Sequence, residues 1–146
     1  MKDPIKVLFV CVHNAARSRI AETYLKNLGG PVFEVSSAGF EPQEANPLVI
    51  KTMQRVGFPL ATTEKQPSVF DLFRAGRRFE YVISVCDAAS SERCPIFPGI
   101  NKRISWSFPD PSQFVGTEHQ RLEQVARVRD DIRTRIEQWL QELPPR

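Results

Sequence analysis

Short apolar runs alternate along the chain with longer segments in which apolar residues recur every three or four positions. The runs lie at residues 5–10, 32–37 and 81–85, with a shorter one at 103–106. Nearly continuous apolar runs of this length are typical of strands that are buried on both faces of a parallel sheet. The pattern therefore predicts four strands.

The intervening segments carry helical periodicity and residues typical of helix ends. Apolar residues recur at helical spacing over 18–28, and two glycines follow as a stop. Asn46 and Pro47 match an N-cap and a first helical residue for a second helix, which the pattern predicts to end at Val56. A short helix is predicted over 68–73.

The last thirty residues contain the clearest helix. Thr117 and Gln120 match a capping box at its start. Beyond them, apolar residues fall on one helix face, at positions 122, 125, 128, 132, 136, 139, 140 and 143. Strands that alternate with helices predict an α/β fold, in which helices cover both faces of a parallel sheet. The 146 residues suit one domain over 1–146.

Composition and charge exclude several classes of protein. Apolar residues make up 41% of the chain and charged residues 25%, which excludes a disordered chain. The 20 basic and 17 acidic side chains leave a net charge of +3 that is spread along the chain, which argues against a nucleic-acid partner. No apolar run approaches the roughly 18 residues of a membrane span, and the first residues lack a secretory signal. We therefore expect a cytoplasmic protein with no membrane contact.

The cysteine count is the first sign of chemistry. The chain has three cysteines, Cys11, Cys86 and Cys94. An odd number does not suit the disulfide framework of a secreted protein. Three thiols in a reducing compartment therefore need a different explanation, which their positions in the predicted fold supply.

Cys11 and Arg17 frame the turn between the first strand and the following helix. In an open α/β sheet, ligands bind beyond the carboxyl ends of the strands, and Cys11 ends the first strand. The backbone N–H groups of the turn, the helix N-terminus and Arg17 all favour an anion, so we expect Cys11 to be a thiolate nucleophile beside an oxyanion site. The planar guanidinium of Arg17 can bind two oxygens of a tetrahedral anion at once.

The rest of this turn supplies further candidates. Asn14 tolerates a left-handed backbone conformation, and the Ser18 hydroxyl can donate a hydrogen bond to the thiolate. We expect His13 to be a loop residue that contacts substrate and His119 to be exposed on the last helix, neither of them a catalytic base. The predicted oxyanion-binding residues are Val12, His13, Asn14, Ala15, Ala16, Arg17 and Ser18. The alternative, an inert buried cysteine beside a surface arginine, explains neither the short polar turn nor its position.

Residues 7–22 (VLFVCVHNAARSRIAE) resemble the phosphate-binding loop and first helix of the low-molecular-weight protein tyrosine phosphatases and of the thioredoxin-coupled arsenate reductases that share their fold. The similarity covers nearly the whole chain, since it continues through SSAG at 36–39, VCD at 85–87, CP at 94–95 and WSFPDP at 106–111. The resemblance implies a four-stranded parallel sheet in the order 2-1-3-4.

Asp110 is the candidate acid. Both activities begin with thiolate attack on a tetrahedral oxyanion and need an acid to protonate the departing oxygen. Asp110 matches the Asp-Pro of the resembled family and lies beyond the fourth predicted strand, so the resemblance assigns it that role. The alternative is an aspartate in an ordinary turn before Pro111.

Two features separate the two activities. Phosphatases of this class usually carry aromatic residues just after the Asp-Pro, whereas Ser112 and Gln113 stand here and Phe114 comes later. The arsenate reductases carry two extra cysteines after the third strand, where this chain has Cys86 and Cys94. The resemblance therefore favours an arsenate reductase.

The three thiols then form a predicted relay. Cys11 and Cys86 end strands one and three, which are neighbours in the order 2-1-3-4. We expect Cys11 to attack arsenate, Cys86 to attack the Cys11–arsenic adduct and release arsenite, and Cys94 to attack Cys86. The resulting Cys86–Cys94 disulfide would be reduced by thioredoxin or a similar dithiol. Residues 87–93 include good helix formers, and a helix would hold the Cα atoms of the two cysteines about 12 Å apart. A disulfide tolerates only about 7 Å, so such a helix must unwind or buckle on oxidation.

Two other functions stay open at this point. A phosphatase would hydrolyse phosphomonoesters through a Cys11 phosphocysteine, with Cys86 and Cys94 only protecting Cys11 from over-oxidation. An oxyanion-binding or redox-sensing module would use the same residues without turnover. Both alternatives keep Cys11 and Arg17 at the centre of the site.

No cofactor and no metal are predicted. Some members of the resembled family carry a potassium site, and Asn14, Glu22 and Ser37 match part of it. Glu64 and Gln66 stand where that pattern has its other oxygen ligands. We therefore do not predict a metal centre for this chain.

Overall fold

The computed structural model describes residues 3–86 and 94–144. Its strands are β1 (Ile5–Cys11), β2 (Phe33–Gly39), β3 (Tyr81–Ser84) and β4 (Lys102–Ser105). They form a parallel sheet in the order β2-β1-β3-β4. The predicted α/β fold and its strand order are therefore confirmed.

Four helices lie within the described ranges and connect these strands or cover the sheet. They are α1 (Arg17–Gly29), α2 (Pro47–Arg55), α3 (Val69–Arg74) and α4 (Glu118–Glu142). Short 3₁₀ turns occupy Gly30–Val32 and Pro111–Gln113. Within 3–86 and 94–144, none of the helices combines the length and the apolar composition needed to cross a membrane.

The side-chain caps at two helix starts are those that the sequence predicts. The side chain of Asn46 accepts a hydrogen bond from the amide of Leu48 at 2.9 Å and so begins α2. Thr117 and Gln120 form a reciprocal capping box at the start of α4, with bonds of 2.9 and 3.1 Å. Caps of this kind are local, which is why residue type and spacing predict them.

Most predicted bounds shift by one or two residues. Val32 belongs to a 3₁₀ turn, so β2 begins at Phe33, and it extends to Gly39 because its last residue pairs with Cys11 of β1. The strand β3 ends at Ser84, one residue earlier than predicted, and Ser68 caps α3 from outside the helix. The predicted helix over 87–93 falls outside the described residues.

Side chains of the inner strand β1 contribute to both hydrophobic clusters of the core. Phe9 and Cys11 belong to a buried cluster that α1, α2 and α4 complete, whereas Leu8 and Val10 pack in a second cluster with Val69 of α3. Successive residues of a strand point to opposite faces, so helices cover both faces of the sheet as predicted. Cys11 is thereby placed at the carboxyl edge of an inner strand, where parallel α/β sheets bind their ligands.

Candidate active site

Hydrogen bonds to its backbone carbonyl groups fix the loop between Cys11 and α1. Backbone amides from the segment 40–46 donate to the carbonyls of Cys11, Val12, His13 and Ala15 at 2.8–3.3 Å. A planar trans peptide points its N–H away from its C=O, so the amides that follow these carbonyls face the opposite side of the loop. On that side, the amide of Asn14 donates to the sulfur of Cys11 at 3.2 Å.

Two backbone positions make this tight loop possible. Asn14 has a φ of 53°, in the left-handed region that asparagine tolerates better than most residues. On β2, Gly39 lies so close to the loop that a Cβ there would be 2.8 Å from backbone atoms of Val12, His13 and Asn14. A side chain at position 39 would therefore displace the loop.

The thiol of Cys11 is surrounded by donors. It is 3% exposed, and its sulfur lies 2.9 Å from the hydroxyl oxygen of Ser18. Because that oxygen already accepts a hydrogen bond from the side-chain amide of Asn14 at 2.7 Å, the hydroxyl proton is free to point at the sulfur. The cap residue of α1 is Ala16, which has no side-chain group to occupy the first amides of the helix. The Cys11 sulfur therefore has two hydrogen-bond partners, and it lies at the N-terminal end of a helix that has no side-chain cap.

Arg17 and Asp110 lie next to each other beside this loop. The Arg17 side chain is 9% exposed, and its Nη1 donates to the carbonyl of Phe108 at 3.1 Å. Its Nη2 lies 3.8 Å from Oδ2 of Asp110. The other carboxylate oxygen of Asp110, Oδ1, accepts hydrogen bonds from the amide and the hydroxyl of Ser112, both at 2.9 Å. One oxygen of Asp110 is thus fixed by its own turn, while the other faces the guanidinium.

A cavity of about 240 Å³ brings these groups together. Its lining includes Cys11, Arg17 and Asp110, and the segment 43–47 contributes to its wall. None of the described residues that line it is a phenylalanine, a tyrosine or a tryptophan. The predicted nucleophile, anion-binding group and acid therefore share one small cavity that has room for a tetrahedral oxyanion.

The two histidines occupy different surroundings. His13 lines the cavity, and its Nδ1 lies 3.3 Å from the carbonyl of Glu41. His119 is exposed on α4, where its Nε2 lies 3.0 Å from Glu123. His13 can therefore contact a bound molecule, whereas His119 lies outside the cavity lining.

Cys86 lies just past β3, next to the strand that carries Cys11. The amide of Val85 donates to the carbonyl of Val10 at 2.9 Å, so the two chain segments run side by side to their carboxyl ends. Cys86 is fully buried, with its sulfur 3.6 Å from the hydroxyl of Ser84. It belongs to the same core cluster as Cys11.

Cys94 is 7% exposed and belongs to the second core cluster. Its carbonyl accepts a hydrogen bond from Arg103 at 3.3 Å. Burial raises the pKa of the Cys94 thiol, Arg103 lowers that pKa, and a negative charge on Cys86 raises it. A charge on Cys86 therefore acts on the Cys94 thiol. All three cysteines are free thiols in the structure.

Comparison with known proteins identifies the family. The model of the family described as low molecular weight phosphotyrosine protein phosphatase matches residues 6–145. The chain belongs to this family. An arsenate reductase of Shouchella clausii (strain KSM-K16) is 33% identical over 133 residues, which cover 91% of this chain and 93% of that protein.

Two solved structures of arsenate reductases have the same fold. One, an arsenate reductase in the phosphate binding state, matches with a TM-score of 0.74 and 26% identity over 96% of this chain and 99% of that one. The other, a thioredoxin-dependent arsenate reductase of Corynebacterium glutamicum, matches with a TM-score of 0.62 and 29% identity over 94% of this chain and 64% of that one. This member of the phosphatase family is therefore similar in sequence and fold to proteins named arsenate reductase.

The candidate potassium ligands of this family member form a closed hydrogen-bond network. Nε2 of Gln66 donates to Oδ1 of Asn14 at 2.7 Å and to Oγ of Ser37 at 3.1 Å. Nδ2 of Asn14 donates to the same Ser37 oxygen at 2.9 Å, and the Ser37 hydroxyl donates to Glu22 at 2.6 Å. A metal cation needs oxygen lone pairs that point at it, whereas here N–H and O–H donors already use them. The residues present do not fit a potassium ion.

Arg19 is a buried residue of the site that the sequence analysis did not single out. It is 2% exposed, and its guanidinium donates to four backbone carbonyls. The acceptors are the carbonyls of Asn14, Gln43, Thr62 and Glu64. One signal was present in the sequence, because an arginine in the first turn of a helix faces an unfavourable dipole and needs compensating acceptors. These acceptors come from segments far apart in the sequence.

Proposed function

We propose that this protein reduces arsenate to arsenite through a relay of Cys11, Cys86 and Cys94. The observation that carries the proposal is the position of Cys86, which follows β3 beside the end of β1 and shares a core cluster with Cys11. A phosphatase needs one nucleophilic thiol, whereas a reductase needs a second thiol near the first. The arsenate reductases to which the chain is similar support this choice.

The first step is nucleophilic attack. Arsenate binds with its oxygens on the loop amides and on the guanidinium of Arg17. The Cys11 thiolate attacks arsenic, so that a sulfur–arsenic bond forms and an arsenic–oxygen bond breaks. Asp110, which lines the same cavity, gives a proton to the departing hydroxyl, which leaves as water. Arsenic remains pentavalent at this stage.

The second step transfers two electrons. The thiolate of Cys86 attacks the sulfur of Cys11, and the electron pair of the sulfur–arsenic bond goes to arsenic, which leaves as trivalent arsenite. Cys94 then attacks Cys86, which frees the Cys11 thiolate and leaves a Cys86–Cys94 disulfide. A dithiol reductant such as thioredoxin returns the two electrons. The thioredoxin dependence of the Corynebacterium glutamicum relative supports this choice of reductant.

The proposed location follows from the thiols. All three cysteines are free thiols in the structure. Structural and catalytic thiols stay reduced in the cytoplasm, where thioredoxin is available to reduce a catalytic disulfide. We therefore place the protein in the cytoplasm, with an oxyanion substrate and a dithiol protein as its partners.

A coupled assay with arsenate, thioredoxin, thioredoxin reductase and NADPH tests the proposal. Wild type should consume one NADPH for each arsenate reduced, and Cys11→Ser, Cys86→Ser and Cys94→Ser should each abolish steady turnover. Ser107→Ala, at an exposed serine, serves as the control and should retain wild-type turnover. Steady NADPH consumption by Cys94→Ser would exclude the relay, as would a wild type that consumes none while it hydrolyses an aryl phosphate.

A phosphomonoester phosphatase is the second candidate. Cys11, its loop, Arg17 and Asp110 are the groups that such a hydrolysis needs, and the family carries this name. The cavity does not favour a phosphotyrosine substrate, because its described lining contains no phenylalanine, tyrosine or tryptophan to pack against the phenyl ring. If the protein is a phosphatase, Cys86 and Cys94 protect Cys11 from over-oxidation. Hydrolysis of an aryl phosphate would then be faster than arsenate reduction.

A further inference from the structure

The guanidinium of Arg19 lies beneath the oxyanion loop as a buried positive charge. Its Nε donates to the carbonyl of Asn14, the loop residue whose φ is positive. Its Nη1 donates to the carbonyl of Thr62 at 3.0 Å, and its Nη2 donates to those of Gln43 at 3.1 Å and Glu64 at 2.6 Å. One side chain therefore ties the loop to two other segments of the chain.

Two opposing effects act on the pKa of the Arg19 guanidinium. Burial lowers the pKa of Arg19, whereas the nearby negative charges of Glu22 and Cys11 raise it. The positive charge of Arg19 therefore lies within electrostatic range of Glu22 and Cys11. Arg19 thus acts on the site both through the shape of the loop and through its field.

Gln66 makes a second contact to Asn14, at its side chain. Its Nε2 donates to Oδ1 of Asn14, while the carbonyl of the same Asn14 accepts from Arg19. Asn14 in turn places its amide on the Cys11 sulfur and its side chain on Ser18. The chain of contacts from Arg19 and Gln66 to the nucleophile therefore passes through a single residue.

We propose that Arg19 is a positioning residue whose guanidinium supplies the buried positive charge that holds the oxyanion loop, so that the protein binds its anion without a monovalent metal cation. Four carbonyls and a neighbouring carboxylate are the groups that a monovalent metal cation would bind. Here the guanidinium occupies the carbonyls, and Ser37 and Lys26 occupy the carboxylate of Glu22. The groups that could bind a monovalent metal cation are therefore already occupied by side chains of the protein itself.

The proposal deepens the proposed function, because it concerns the same oxyanion loop. Phosphate binding to the reduced protein, measured by isothermal titration calorimetry, reports on the loop without any turnover. A failed arsenate assay with normal phosphate binding would count against the relay alone. A failed prediction on phosphate binding would count against the role of Arg19 alone.

Wild-type protein gives the first test. Its phosphate affinity, and its melting temperature with phosphate, should be the same in potassium chloride, sodium chloride and choline chloride at equal ionic strength. Affinity more than about fivefold higher in potassium chloride, equivalent to about 1 kcal/mol, would overturn the proposal. This comparison needs no variant and decides the question even if changes at Arg19 prevent folding.

Arg19→Ala gives the second test, with guanidinium ion as a probe. The variant should bind phosphate at least about tenfold more weakly, since several buried carbonyls lose their charged donor. Millimolar guanidinium chloride should restore much of the affinity, whereas choline chloride should not. A cavity of about 110 Å³ lined by Arg19, Glu22, Thr62 and Gln66 gives the ion a way in. Arg19→Lys, which keeps the charge and loses the planar fork, should fall between the two.

Arg129→Ala is the matched control. Its guanidinium is also largely buried and donates to the carbonyl and the hydroxyl of Thr52 on α2, at 3.1 and 2.7 Å. Its loss should lower the melting temperature and leave phosphate affinity unchanged, with no effect of guanidinium ion on binding. Wild-type phosphate affinity in Arg19→Ala, or an equal loss in Arg129→Ala, would show that Arg19 has no special role at the loop.

Discussion

Asp110 presents its two carboxylate oxygens to different partners. Oδ1 is bound by Ser112, and Oδ2 lies 3.8 Å from Arg17 at the cavity. Asparagine can keep the acceptor that Ser112 uses, but it has no acidic proton to give. We therefore expect Asp110→Asn to slow the first chemical step by about 10²–10⁴-fold, with phosphate affinity nearly unchanged. Rapid-quench measurement of a single arsenate turnover checks this.

The control for this variant is Asp131→Asn, at an exposed aspartate on α4. It removes the same charge from the protein without touching the cavity, so its single-turnover rate should equal that of the wild type. An unchanged rate in Asp110→Asn would exclude Asp110 as the acid.

Cys94 should make the last thiol exchange dependent on pH. Burial raises the pKa of this thiol, so at neutral pH it is mainly protonated, and the reactive thiolate fraction grows about tenfold for each pH unit below that pKa. Formation of the Cys86–Cys94 disulfide should therefore accelerate as the pH rises. Arg103 lowers the pKa of Cys94, so Arg103→Gln should slow the exchange at a fixed pH and move the profile to higher pH.

Quenched-flow trapping of free thiols between pH 6 and pH 10 measures this exchange. Lys102→Gln, which removes a charge from the adjacent exposed position of β4, is the control and should keep the wild-type profile. A rate that does not change with pH, or equal shifts in the two variants, would contradict the assignment of Cys94 as the attacking thiol.

At the scale of elements, the end of β2 shapes the loop that follows β1. A Cβ at Gly39 would lie 2.8 Å from loop backbone atoms, which cannot move without disturbing the Asn14–Cys11 contact. We expect Gly39→Ala to lower the free energy of unfolding by about 1–3 kcal/mol. Phosphate affinity should fall as well, since the loop is displaced. Urea unfolding and calorimetry measure the two effects.

Gly57, beyond the end of α2, provides the comparison. Its φ is +79° and its surroundings are open, so Gly57→Ala should cost stability through backbone strain, about 1–2 kcal/mol, without altering the phosphate affinity. Equal phosphate affinities in Gly39→Ala and wild type would contradict the close packing between β2 and the loop.

The sequence predicted those elements whose causes are local. Continuous apolar runs predicted the four strands, and the caps at Asn46 and Thr117 predicted the starts of two helices. The end of β2 was missed because it depends on pairing with Cys11, which lies far away in sequence. Arg19 was missed for the same reason, since carbonyls from distant segments define its role.

At the scale of the whole molecule, the parallel sheet determines which thiols can meet. The order β2-β1-β3-β4 makes β1 and β3 neighbours, so Cys11 and Cys86 lie at adjacent strand ends and in one core cluster. Cys94 lies in the other cluster and interacts with Cys86 electrostatically. The proposed relay therefore passes electrons from one layer of the core to the other through Cys86.

In the proposed relay, Cys86 is the thiol shared by both disulfides. A relay in the proposed order releases Cys11 as a free thiol once Cys94 has reacted. The odd number of cysteines follows, because one nucleophile and one exchanging pair leave a single thiol unpaired after each turnover. Cys11 is then ready for the next substrate once the pair is reduced.

Mapping the thiols after one arsenate turnover tests this account most directly. Reduced protein is mixed with arsenate in the absence of a reductant, quenched with an alkylating agent and digested for mass spectrometry. We predict one arsenite per protein, a disulfide that joins Cys86 to Cys94, and Cys11 alkylated as a free thiol. Arsenite release with Cys11 in the final disulfide of the wild type, or with no disulfide at all, would contradict the relay.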